Sequence, residues 1–428
     1  MHGGDEKPSR FQCSLRPPRH GYSPNDEAPP PSWVLLDMYA YIADRRNATS
    51  ACGTTSNGKP IQVTFCTAPP PLVSYLCVWL PDLPPTEFDG EPTVEAAEAD
   101  LVLFRVFLRG PRRHADHFVY KATCSKGPSL QLLQDPSPCL PVRHCFSLLP
   151  RRHVWAPRGH LRDDHFYIPV LSKRGNQPGD LKLHLFDSMD KSWRTTTVSL
   201  EEDYYCHITY KVIALGEEGG LLAFVDAWRG IVVCDVLGRR PARYLPLPPA
   251  LVVRDMVGCD PFLSRDIAFV DGRLVAVGVW RIVKNKDSTP DYSSWTVGSW
   301  SRAVSFRWEE DWQEDYVIQT CDIAVHDAEN VDLLPKLEDS EGTPQPTLTK
   351  LYVAHPTLSL SDKHIVYIMG KVNPRDTKAL VLCVDTRTPK LQSVAVFDAE
   401  RMLGAVFSHT CMQSWVSKYF QHGHGRQL

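Results

Sequence analysis

Short apolar runs recur along the chain, separated by Pro, Gly, Asn and Asp. Leu72–Leu80, Leu101–Leu108, Phe118–Ala122, Phe166–Leu171, Leu181–Phe186, Leu221–Val225, Ile231–Val236, Ile267–Val270, Leu274–Val279, Ile365–Met369 and Leu380–Val384 are each only a few residues long. Their length and their branched and aromatic side chains predict β-strands rather than helices. Turn signals such as Asp271-Gly272, Leu237-Gly238-Arg239 and Asn373-Pro374 let the chain reverse, so neighbouring strands are expected to pair antiparallel. Helical patterning is sparse, with short helices expected only at Thr93–Ala99 and Ala399–Val406.

Three of these runs end alike. Leu183–Asp187, Ile231–Asp235 and Val381–Asp385 each close on an aspartate, then a polar turn, then a further strand at Trp193–Val198, Ala242–Leu247 or Leu391–Val396. The aspartates lie 48 and 150 residues apart, one and three periods of about 50, which is a propeller-like interval. One small sheet cannot bury both faces alone, whereas radially arranged sheets cover one another. Asp266–Trp308 supplies an intervening unit, and Trp33–Trp79 and Leu101–Leu133 supply weaker ones. The expected fold is mainly β, a kelch-like or F-box-associated-type β-propeller of about six blades with few short helices.

Composition sharpens this picture. The 428 residues are 43% apolar and 23% charged, enough to form a sizeable core, and their 36 prolines punctuate strands and connections. Residues 1–31 read as a disordered Pro-rich tail, 32–408 as the propeller domain and 409–428 as a polar C-terminal tail, with a flexible interval at Glu338–Thr347. A formal net charge of −3 gives no global basic field for nucleic acid or anionic membranes. Thirteen cysteines without a Cys-x-x-Cys pair fit reduced, buried thiols better than a zinc ribbon or disulfide framework. With no signal-peptide core and no apolar run of membrane length, a soluble cytoplasmic or nuclear location is expected.

The stretch Gly220–Val236, the hairpin Arg265–Gly272, the later Pro356–Asp362 and the opening Pro31–Asp37 resemble a plant family, expanded in grasses, catalogued as domain of unknown function 1618. The resemblance spans most of residues 31–400 and is strongest between 220 and 280. It implies a plant protein with a β-rich fold and transfers no catalytic residue. Inside it, Asp226, Trp228 and Arg229 form a candidate contact site, because an indole and a guanidinium at a strand-connecting turn can stack on or ion-pair with a ligand or partner. The structural reading of the same residues is stronger: Asp226 closes the turn, Trp228 fills an interface and Gly230 permits the reversal.

Other chemistry is weaker. His144, Cys145, His153, His160 and His165, beside Asp163 and Asp164, include suitable zinc ligands, but their gaps are irregular and no metal is expected. His409-Thr410-Cys411 and His422-Gly423-His424 fit a polar tail. No nucleophile elbow, Walker loop or dinucleotide fingerprint is present. The basic groups Arg109–His114 and Arg151–His153 read as solvated loop charge, and Trp295, Trp300, Trp308 and Trp312 as packing between blades. The expected function is a noncatalytic, cofactor-free scaffold presenting loops to an unknown protein partner, without membrane contact. The alternatives are a small-molecule-binding or hydrolytic propeller and a nuclear scaffold touching nucleic acid.

Overall fold

Short runs of branched and aromatic residues, buried almost continuously, form strands, and each of the eleven apolar runs falls on one. The computed structural model describes residues 15–22, 29–109, 115–123, 127–133, 146–150, 165–173, 180–200, 207–216, 220–252, 261–281, 294–304, 310–376, 378–397 and 411–420. Among them the strands form six sheets in a β-propeller arrangement, plus one two-stranded ribbon, and the helical segments are short 3-10 turns.

The first sheet orders Cys411–Ser414, Val34–Asp37, Val73–Trp79, Pro60–Cys66 and Ala51–Thr54, with Tyr41–Ile42 also paired to Val73–Trp79. The second comprises Thr93–Glu98, Leu101–Phe107, Ala115–Lys121 and Ser129–Leu132, and the third Leu149–Pro150, Phe166–Lys173, Asp180–Asp187 and Ser192–Ser199. The fourth holds Lys211–Ala214, Leu221–Asp226, Gly230–Asp235 and Arg243–Pro246, and the fifth Arg265–Val270, Arg273–Arg281, Trp295–Ala303 and Gln313–Gln319. Tyr352–Leu358, Ile365–Lys371, Ala379–Asp385 and Lys390–Phe397 make the sixth. Two compact units divide the chain: Met1–Val94, Asp100–Pro136 and Phe397–Leu428 form one, Glu95–Ala99 and Ser137–Val396 the other.

Within the larger unit, successive sheets share their apolar faces. Leu183 and Leu185 cluster with Phe224 and Val232, joining the third sheet to the fourth. Val225 and Ile231 cluster with Ile267, Leu274 and Trp300, joining fourth to fifth. Val277 and the fully buried Trp295 cluster with Leu358 and Leu382, joining fifth to sixth. Each middle sheet therefore buries both faces, as the sequence period requires. Trp312 packs beside the fourth-to-fifth cluster and donates its indole N–H to the Pro246 carbonyl at 2.8 Å, whereas Trp308 lies outside the described residues.

The repeated aspartates do the same job in three sheets. Asp187, Asp235 and Asp385 each end a third strand, and each accepts the backbone N–H two residues on, from Met189, Leu237 and Arg387, at 2.9, 3.0 and 2.9 Å. Local turn closure explains the shared sequence position. The fifth sheet ends its third strand at Ala303 and carries a register shift at Ser299/Trp300, so its repeat has no aspartate mark.

Several expectations change. Thr93–Ala99 is no helix: Thr93–Glu98 is a strand, because Val94 donates to the Met38 carbonyl and Ala40 to Pro92, both at 2.8 Å, and so short an alanine-rich segment gains little from an isolated helix. The interval expected to be flexible at Glu338–Thr347 contains half of a hairpin, Lys336–Glu338 paired with Pro344–Pro346. In the segment read as a polar C-terminal tail, Cys411–Ser414 pairs antiparallel with Val34–Asp37, since that strand's outer backbone groups need a ladder partner. In the segment read as an N-terminal tail, the carbonyls of Pro18 and His20 accept from the Tyr75 hydroxyl at 2.9 and 2.8 Å. The expected helix at Ala399–Val406 lies outside the described residues.

Candidate functional site

The turn between Leu221–Asp226 and Gly230–Asp235 brings the three sequence-selected residues together. Asp226 is fully buried and accepts three hydrogen bonds, from the N–H of Trp228 at 3.0 Å and from the Ile208 N–H and Arg229 Nη1 at 3.1 Å each. Arg229 also donates its N–H to the Asp226 carbonyl at 3.1 Å, tightening the reversal. Only glycine fits at 230, where a Cβ would stand 2.2 Å from the Tyr244 hydroxyl and 2.6 Å from the Leu245 carbonyl. Asp226 therefore organises the turn, as its structural reading requires.

Around that turn the sequence reading missed two side chains. Arg265, in the first strand of the fifth sheet, lies with its guanidinium carbon 4.4 Å from the Trp228 ring centroid and donates Nη1 to the carbonyls of Ala227 and Leu251 at 3.0 and 2.5 Å. Burial pushes the Arg265 pKa down to about 10. His207 is buried beside Asp226; desolvation pulls its pKa down to about 4 and Arg229 adds to the fall, against an upward pull from Asp226. One His207 ring nitrogen meets Thr209 Oγ1 at 3.1 Å, while His207 Nδ1, Trp228 Nε1 and Arg265 Nε are buried without a hydrogen-bond partner.

A second polar knot lies on three first strands. Asp266 is buried and accepts Lys211 Nζ of the fourth sheet at 2.8 Å and the Leu358 N–H of the sixth at 3.0 Å. Its two oxygens thus bind one sheet on either side. Both carboxylates are turned to donors that tie the sheets and their turns together. Arg265 and Asp266 stood in the sequence as part of a hairpin, and only the third dimension carries Arg265 to Trp228, 37 residues earlier.

The histidine-rich region is described only at its end, where His165 meets Asp187 Oδ1 at 2.9 Å; His144, Cys145, His153 and His160 lie outside the described residues. Among the described residues no group of three or more His, Cys, Asp or Glu can hold a metal ion, and no helix is long and apolar enough to cross a membrane.

No curated protein matches the chain. Among solved structures it is similar to a hypothetical selenium-binding protein from Sulfolobus tokodaii, with 10% identity, 89% of this chain and 79% of that one covered, and a TM-score of 0.38. It is also similar to Sqt1 from Chaetomium thermophilum, at 12% identity, 86% and 74% coverage and a TM-score of 0.32. A B. megaterium levansucrase variant follows at 9% identity, 84% and 91% coverage and 0.26. Asp226 and Asp266, though not the Lys211 partner of the latter, fall inside a segment with a family match: residues 224–367 fit the family described as a protein of unknown function, DUF1618, which supports the kinship read from the sequence.

Proposed function

We propose that the chain is a noncatalytic plant scaffold of the cytoplasm or nucleus that presents a propeller connection to a protein partner. One observation carries this reading. Between the last strand of the fifth sheet, ending at Gln319, and the first of the sixth, starting at Tyr352, the chain makes a 32-residue excursion. Most connections inside compact domains are only about 4–6 residues long, whereas this one carries a ribbon of its own. Ile323, Ala328, Leu334, Leu348 and Leu351 anchor it in the core, while Leu333 and Leu337 stand exposed at 43% and 38%. Part of it runs along the outer strand of the sixth sheet, with Leu391 and Val394 donating to the carbonyls of Ala324 and Glu329 at 2.8 and 2.9 Å. That strand edge is covered, and the ribbon is left to meet a partner.

The test replaces residues 335–347 with a short Gly-Ser link in the full chain and compares cross-linked partners captured from plant tissue. A reproducible partner lost by the variant, with melting unchanged, supports the scaffold. A partner set that ignores the replacement, or no reproducible partner, opposes it.

A second reading, small-anion binding, draws on the buried Arg265 guanidinium, which no carboxylate among the described residues is seen to pair, and on the orphaned nitrogens of Arg265, Trp228 and His207. Buried polar groups without partners are rare and invite a ligand. Tryptophan fluorescence titrated with phosphate and acetate checks it: saturable change lost in Arg265→Met supports it, and a flat response rejects it.

A further inference from the structure

We infer that Lys336–Glu338 is a docking edge to which an extended basic segment of a partner protein adds as a third strand, an inference that rests on the scaffold reading. The ribbon pairs Lys336 with Pro346, Leu337 with Gln345 and Glu338 with Pro344. Antiparallel pairs alternate between those that exchange hydrogen bonds and those whose backbone groups point outward. The flanking bonds Asp339 N–H to Thr343 carbonyl and Thr347 N–H to Pro335 carbonyl, 3.0 and 2.9 Å, set that alternation. They make Leu337–Gln345 a bonded pair and turn the backbone of Lys336, Glu338, Pro344 and Pro346 outward.

The two edges are therefore unequal. On one side both outward positions are prolines, which have no N–H, so that edge cannot accept a strand. On the other, Lys336 and Glu338 each offer an N–H and a carbonyl, and all three residues of the strand are exposed. The hairpin is preorganised: Asp339 Oδ1 accepts from the N–H of Glu341 and Thr343 at 2.9 and 2.8 Å, Oδ2 accepts from Gln345 Nε2 at 3.3 Å, and Gly342 takes φ +79°. A rigid edge loses little freedom when a strand adds.

Charge selects the occupant. Residues 320–351 contain seven Asp or Glu against two Lys, a net charge of −5. Asp339 is engaged in the turn and Asp332 faces Lys336 at 3.6 Å, whereas the Glu338 and Glu341 carboxylates meet no described cation. Side chains alternate across a strand, so a partner presenting Lys or Arg toward Glu338 and an apolar residue toward Leu337 is matched. A second copy of this chain would bring two acidic excursions together.

The experiment uses the full chain and a labelled peptide alternating Lys with Val, beside one alternating Glu with Val. The Lys peptide is expected to bind, to weaken at least tenfold between 50 and about 300 mM salt as exposed charge is screened, and to slow amide exchange of Lys336 and Glu338 at least tenfold. Lys336→Pro, which removes an outward N–H, and the paired Glu338→Lys and Glu341→Lys, which leave the backbone intact, should each cost at least tenfold in affinity with melting unchanged. Equal binding of the Glu peptide, protection elsewhere, or protection of the same amides by self-association without peptide overturns the inference. A plant partner that still binds Lys336→Pro overturns this edge and leaves the scaffold reading standing; absence of both partner and peptide binding overturns both.

Discussion

Asp226 accepts from two backbone N–H groups and one guanidinium while fully buried, so its replacement strands donors as well as removing bonds. Asp226→Ala should cost about 2–4 kcal/mol in denaturant unfolding, and Asp226→Asn less, because the amide keeps one acceptor oxygen. His207 gives a pH signature. Its folded pKa is about 4, below the ordinary 6.5, so between those values the unfolded chain binds the extra proton. Stability should be full above pH 6.5 and fall as pH drops toward 4, by about 3 kcal/mol from this residue. A melting series across that window checks this, and His207→Gln should flatten it. The Asp226, Trp228 and Arg229 constellation was legible because turn chemistry is local in sequence. Arg265 and His207 were not, since a stacked guanidinium and a desolvated imidazole leave no spacing to read.

Strands show the same divide. The eleven apolar runs announced themselves because a buried ladder of branched residues has few alternatives, and Asp187, Asp235 and Asp385 marked their turns by local hydrogen bonding. Thr93–Glu98 misled because Ala and Glu favour helices intrinsically, while the ladder to Met38 and Ala40 that decides the matter is distant in sequence. Gly230 offers an element-scale test. A Cβ there meets both a movable hydroxyl and a fixed carbonyl, so Gly230→Ala should destabilise by about 1–3 kcal/mol. Adding Tyr244→Ala removes both the hydroxyl and the ring carbon 2.3 Å from that Cβ, and a double-mutant cycle should recover part of the loss and leave the part due to Leu245.

For the whole chain, the spacing of about 50 residues made the propeller and its six sheets readable, because mutual coverage of small sheets demands repetition. The pairing of Cys411–Ser414 with Val34–Asp37 was not readable: the short strand looks like polar tail, and its reason lies in an edge far back in the sequence. Ending the chain at residue 410 should expose that edge, lower the melting temperature by several degrees and promote association visible by light scattering. The pairing also has a temporal side. Asp37 and Cys411 are 374 residues apart, so at about 5–20 residues per second the ribosome needs about 20–75 s to deliver the partner of a strand already made. Throughout that interval the first sheet of the nascent chain stands unfinished, its outer edge open to mispairing.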